Sequence, residues 1–215
     1  MFDNIDFYLV FDLFLLLLIG MGPKIALVPF LEATQGMEAE TQRKVANTMV
    51  RTALGTALLL VMLGWFLMRL LHFTPGAANV AGGIVLLLIS LNMLVSPAKK
   101  HDHEADTEGR DPQKMAIYPL AVPYLLNPAG IATLVIVSDD INSILFAAIV
   151  IGVVLLVGLI DFAVFRNMDK LSKHLDPSRL VITEVIFGVL LTALAVQLMA
   201  DGLAEMGVIS GLVGH

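Results

Sequence analysis

Apolar residues dominate this chain in runs of membrane length, and the polar residues gather between them. Hydropathy predicts six spans, at about 7–31, 49–71, 79–96, 116–138, 143–165 and 181–203. Each is close to the ~20 residues a helix needs to cross a bilayer. Between them lie a polar loop (32–47), a Thr74-Pro75-Gly76 turn, a charged linker (98–114), a tight Asp139-Asp140-Ile141-Asn142 turn and a basic loop (166–179). The pattern predicts an all-α integral membrane protein whose residues 1–215 form a single membrane domain.

Two of the runs contain residues that a plain spanning helix does not need. The fourth reads Pro119-Leu120-Ala121-Val122-Pro123-Tyr124-Leu125-Leu126-Asn127-Pro128-Ala129-Gly130. Asn127 is a good N-cap, and Pro128 suits a first helical position, where a missing N–H costs nothing. A helix should therefore stop near Leu126 and restart at Pro128. The first run has its own interruption, Gly20-Met21-Gly22-Pro23-Lys24. Irregular backbone at membrane depth survives only where it is buried in protein or lines a cavity.

The linker separates three spans from three spans, so the second half must insert upside down relative to the first. That predicts two inverted-topology repeats, about 1–97 and 115–205, with helices 1 and 4 broken. Gly22-Pro23 and Asn127-Pro128 correspond at an offset of 105 residues. Paired breaks in inverted halves point to a transporter's midplane site, where helix N-termini face an anionic group. Gly22, Pro23, Lys24, Asn127, Pro128, Ala129 and Gly130 are the expected binding residues, acting mainly through backbone groups. The plainer alternative is that both prolines kink packed helices.

Lys24 is the most deeply placed cation, roughly 10 Å of helix from the cytoplasmic end. Asp161, about one turn inside that end of the fifth span, is its expected partner in a gate, or carries a coupling proton. The alternative has Lys24 snorkelling and Asp161 pairing with Arg166. Asn92 and Gln197 are further candidates for coupling or gating, and with Ser90 and Thr192 they are equally suited to interhelical hydrogen bonds. Gly82, Gly83 and Gly188 read as close helix contacts. His101 and His103 form no convincing metal site, and no cofactor is implied.

Composition narrows the class. Of 215 residues, 58% are hydrophobic and none is cysteine, against about 45–50% apolar in soluble domains. Mean hydropathy is +0.87. The net charge of −6 argues against nucleic acid as a partner. The acidic start is unlike a signal peptide, so the first run is read as a retained span. Lys and Arg gather in the first, third and fifth loops and their flanks (Arg43, Lys44, Arg51, Lys99, Lys100, Arg110, Lys114, Arg166, Lys170, Lys173, Arg179), with Arg69 alone opposite. This bias puts those loops in the cytoplasm and both termini outside, in a bacterial or archaeal plasma (inner) membrane.

The two breaks, the stretch Ala116-Ile117-Tyr118-Pro119-Leu120-Ala121-Val122-Pro123, the Ala81-Gly82-Gly83-Ile84 start of the third span and Ala193-Leu194-Ala195-Val196-Gln197 in the sixth together resemble the MarC family of six-span inner-membrane proteins. The resemblance covers nearly the whole chain. It implies a secondary transporter akin to those for small neutral amino acids (alanine, glycine, serine), and distantly to LysE-type exporters. Family members commonly carry an acidic or amide residue before the first proline and Gly-Asn soon after; here Gly22 precedes Pro23 and Lys24-Ile25-Ala26 follow. A lysine there favours a more anionic ligand unless Asp161 neutralises it.

The expectation is alternating-access transport of a small carboxylate-bearing solute, a neutral amino acid, with protons as coupling ion, the bilayer as surroundings and a homo-oligomer compatible with the chain. Rival readings are an exporter of another small anionic metabolite, an intramembrane enzyme, for which no midplane His or second carboxylate is found, and an assembly protein without substrate.

Overall fold

The computed structural model describes residues 7–95, 111–168 and 177–209. Among them every regular element is helical: α1 (Phe7–Met21), α2 (Pro23–Ala33), α3 (Ala39–Leu71), α4 (Pro75–Val95), the four-residue α5 (Pro112–Met115), α6 (Pro128–Asp139), α7 (Ile144–Arg166) and α8 (Pro177–Glu205). Between α5 and α6 runs a distorted helical segment, Ala116–Leu125. Most of the charged linker, with His101 and His103, lies outside the described residues. So do Lys170 and Lys173 of the basic loop and the side chain of Arg179.

Local chemistry sets the helix starts. Pro75 opens α4 while the Thr74 hydroxyl accepts the Ala77 N–H at 3.2 Å. The Ser143 hydroxyl accepts the Phe146 N–H at 3.1 Å at the head of α7, and the Asp111 carboxylate accepts the Gln113 N–H at 3.0 Å at the head of α5. Each side chain satisfies a donor that the first turn cannot pair internally. At the other end of α3, His72 takes a left-handed conformation (φ 55°, ψ 35°) and stops the helix.

Among the described residues, five stretches are long and apolar enough to cross a membrane: Phe7–Ala33 (α1 with α2), Ala39–Leu71, Pro75–Asn92, Ile144–Arg166 and Gly188–Glu205. A sixth is obtained if Pro112–Leu125 and Pro128–Asp139, which meet at 71°, form one span. Helix α3 starts ten residues before the apolar run expected at 49. Hydropathy detects only its apolar part, and the polar first turns, with Lys44 bound to Glu40 at 2.7 Å, extend the same helix.

In Ala116–Leu125, Tyr118 (φ −136°, ψ 126°) and Val122 (φ −136°, ψ 123°) are extended. Each precedes a proline, whose ring disfavours the helical region for the residue before it. Both of these X–Pro bonds are cis.

Two apolar clusters hold the helices. The larger joins α1, α2, α3, α6, α7 and the 116–125 segment through residues such as Leu17, Met21, Phe30, Met49, Leu120, Leu125, Leu134, Val154 and Phe165. The smaller is Ile25, Leu86, Ala129, Leu191 and Ala195, with Tyr124 packed against it. Among the described residues, helices α4 and α8 make the most extensive helix pairing. They run antiparallel and approach through small residues: Gly202 lies against Gly76 and Val80, Gly83 against Ala195 and Met199, and Gly188 against Leu94 and Ser90. Gly82 instead faces Pro128 and Ala132 of α6. Large apolar side chains such as Leu59, Met62, Leu156, Leu159 and Leu190 point outward. An outer surface of this kind suits lipid, where small residues rather than large ones let helices approach.

Candidate functional site

Helices α2 and α6 begin in the same way. Gly22 precedes Pro23 with φ −81° and ψ 167°, and Asn127 precedes Pro128 with φ −84° and ψ 168°. In both places proline restricts its predecessor to extended backbone and occupies a position where no N–H is required.

Their capping differs. The Asn127 side-chain oxygen accepts the Gly130 N–H at 3.1 Å. Its amide nitrogen donates to the Ile19 carbonyl at 2.8 Å, and its backbone N–H donates to the Gly20 carbonyl, also at 2.8 Å. Ile19 and Gly20 belong to the last turn of α1, whose carbonyls have no partner within the helix. One fully buried residue therefore supplies α6 with its cap and α1 with two of its missing donors. Gly22 gives α2 no side-chain cap. It cannot carry a larger residue in this conformation, because a Cβ there would collide with the Leu18 carbonyl.

The end of α1 and the start of α6 touch backbone to backbone. A Cβ on Gly130 would lie 3.0 Å from the Gly20 Cα and closer still to its carbonyl. The negative end of the α1 dipole thus lies against the positive end of α6, a favourable alignment. Pro128, Ala129 and Gly130 are all buried at this junction. The second apolar cluster is built from the same helix starts: Ile25 is the third residue of α2 and Ala129 the second of α6, and α4 and α8 supply Leu86, Leu191 and Ala195.

The expected Lys24–Asp161 pair is not formed. Lys24 is exposed, whereas Asp161 is fully buried and neither of its carboxylate oxygens has a hydrogen-bond partner among the described residues. Arg166 does not serve Asp161 either, as it is exposed and its guanidinium lies 5.5 Å from the centre of the Phe162 ring. Sequence gives the depth of a residue along a span but not which way around the helix it faces, and depth alone had paired these two. For the same reason Asn92 and Gln197 do not join the helix starts. Asn92 is exposed, and Gln197 is exposed and donates to Asp201 at 2.7 Å. Thr192 and Ser90 do meet, hydroxyl to hydroxyl at 2.9 Å, between α8 and α4. Gly20 and Ile25 were missing from the expected site; the Gly-x-Gly spacing before Pro23 is the one local signal for the first, and Ile25 carries none.

Residues 7–207 match the family described as MarC family integral membrane protein. Among curated proteins, the UPF0056 membrane protein MJ1677 of Methanocaldococcus jannaschii is 26% identical over 184 residues, covering 85% of this chain and 90% of that protein. The UPF0056 membrane protein YvbG of Bacillus subtilis is 25% identical over 181 residues (82% and 85%). A UPF0056 membrane protein of Aquifex aeolicus is 30% identical over 146 residues (66% and 68%). No solved structure matches the chain. With nearly its whole length matched, the chain belongs to the MarC family of integral membrane proteins.

Proposed function

We propose that this protein is a secondary transporter that moves a small carboxylate-bearing solute, a neutral amino acid, across the plasma membrane by alternating access. In this reading α1–α2 and the 112–139 stretch are the broken helices of two inverted three-helix repeats, and both termini face outward. The observation that carries the reading is the pair of helix starts, equal in backbone angles and 105 residues apart, whose Ile25 and Ala129 share one buried cluster. A kink made by packing alone gives no reason for the same turn to occur at corresponding places in the two halves.

The capping difference refines where the carboxylate would bind. At the head of α6 the Gly130 N–H is engaged by the Asn127 side chain and the Gly20 backbone lies against Gly130, which leaves this start less open to a solute. The head of α2 has no side-chain cap, and its first-turn N–H groups with their dipole end suit an anionic group. Pro23 has no N–H, so the donors would be those of Lys24 and Ile25. Asn127 becomes a brace for the site, while Gly22, Pro23 and Lys24 stay in contact with the solute. Ile25, Leu86 and Leu191 would border its side chain and favour a small apolar one. The rival intramembrane enzyme would need a second ionisable group beside Asp161, and among the described residues neither of its oxygens meets one.

The test is counterflow and uptake of radiolabelled alanine, glycine, serine and a set of other small carboxylates in proteoliposomes of the full-length protein. Saturable movement of at least one of them is expected. A folded protein that moves none of the panel would remove this assignment.

A further inference from the structure

We propose that Asp161 is the proton-carrying group of the transporter, and that the Phe30–Phe165 ring pair closes its route to one end of the bundle. This rests on the transport reading above. Asp161 lies 18 residues into the 23-residue helix α7, in a segment of the length and hydropathy of a span. It is fully buried, with both oxygens unpartnered among the described residues. Such a group does nothing for packing: it offers less apolar contact than leucine and makes no hydrogen bond that would offset burial. A carboxylate kept at such a position within a membrane calls for a functional reason.

Among the described residues, the helices packed against α7 supply no buried counter-ion. Helix α7 packs against α3, α1 and α2. The charged residues of those helices, Asp12 on α1, Lys24 and Glu32 on α2, and Glu40, Arg43, Lys44, Arg51 and Arg69 on α3, are all exposed, as is Arg166 on α7 itself. A bound metal cation would need several further oxygen ligands, and among the described residues no three His, Cys, Asp or Glu side chains gather closely enough to hold one. A proton needs only the carboxylate.

Position links the group to the solute. Phe165 is one turn beyond Asp161 on the same face of α7, and its ring meets that of Phe30 on α2 edge to face, with centres 5.2 Å apart. Both rings are almost fully buried. Phe30 is seven residues past the start of α2 at Pro23, so α2 carries the proposed carboxylate donors at its head and half of the aromatic plug near its tail. A displacement of α2 on solute binding would part the rings and open Asp161 to water from the Arg166 end.

The experiment compares wild type, Asp161→Asn and Asp161→Glu in pyranine-loaded proteoliposomes, following radiolabelled alanine and internal pH together. In wild type a pH gradient is expected to raise alanine accumulation several-fold, with proton movement accompanying the solute. Asp161→Asn should lose that gain and the proton signal while keeping counterflow exchange, and Asp161→Glu should restore both. Gradient-driven accumulation by Asp161→Asn at the wild-type level would overturn the proposal, as would accumulation driven by sodium and not by pH. Absence of alanine exchange in wild type tells against the transport reading instead. In that event, or if Asp161→Asn does not fold, modification of wild type by dicyclohexylcarbodiimide, mapped by peptide mass spectrometry, decides. Reaction at Asp161 that falls as pH rises is expected, and an unmodified Asp161 at every pH would overturn the assignment.

Discussion

The starts of α2 and α6 share backbone angles to within a few degrees, yet one is braced and the other bare. Asn127 can cap because its side chain reaches both its own helix and the carbonyl end of α1. Gly22 cannot, because the Leu18 carbonyl occupies the space where its side chain would begin. The same turn thus carries a side-chain cap in one place and none in the other. On the proposed reading the uncapped start would present the donors and the capped one would brace them, since donors hold a ligand well only when the elements that present them do not shift.

The comparison breaks most severely at the glycine contact. Gly130→Leu places a side chain where the Gly20 backbone lies, and overpacking of a core costs ~1–3 kcal/mol or more even where only side chains must move. Here backbone must move, so no monodisperse folded protein is expected by size-exclusion chromatography in detergent. Recovery of wild-type yield and melting temperature would show that the two helices can separate without loss.

Removing the brace alone is the next largest change. Asn127→Ala leaves the Ile19 carbonyl and the Gly130 N–H buried without partners, at ~1–3 kcal/mol each. Thermal melting in detergent should show a clear fall, and Asn127→Asp, which keeps the cap but loses the donor to Ile19, should fall between this variant and wild type. Equal melting of Asp and Ala variants would assign all of the effect to one bond.

Smaller effects separate the breaks from the rest of the fold. Thr192→Val removes the hydroxyl pair between α8 and α4 and should cost about 0.6 kcal/mol, the usual size of a polar contact between membrane helices. Pro23→Ala and Pro128→Ala should each change stability by under ~1 kcal/mol, since proline at a first helical position acts mostly by restricting the unfolded chain. A large loss in either would mean that the proline ring itself holds the joint.

The helix starts were legible in the sequence because their causes are local. Proline and the residue before it set the turn at Pro23 and Pro128, and Ser143 and Thr74 announce the next elements as plainly. What Asn127 does with its amide was not legible, because Ile19 is 108 residues away and only the packed fold brings it near. Lys24, Asn92 and Gln197 were placed by depth along an apolar run, and the direction each faces depends on helix rotation, which weakly amphipathic spans do not encode. Asp161 shows the same limit: its depth in the span was legible, but its burial and its lack of a partner among the described residues emerged only from the packed fold, where Lys24 and Arg166 are both exposed.

The central claim, that the bare start of α2 receives a carboxylate, is tested most directly by competition in alanine counterflow. Unlabelled alanine and alaninamide, which share a side chain and an amino group and differ at the carboxyl, would be titrated against radiolabelled alanine in proteoliposomes of wild-type protein. The account predicts that alanine competes fully and alaninamide hardly at all. Equal competition by the two would contradict it.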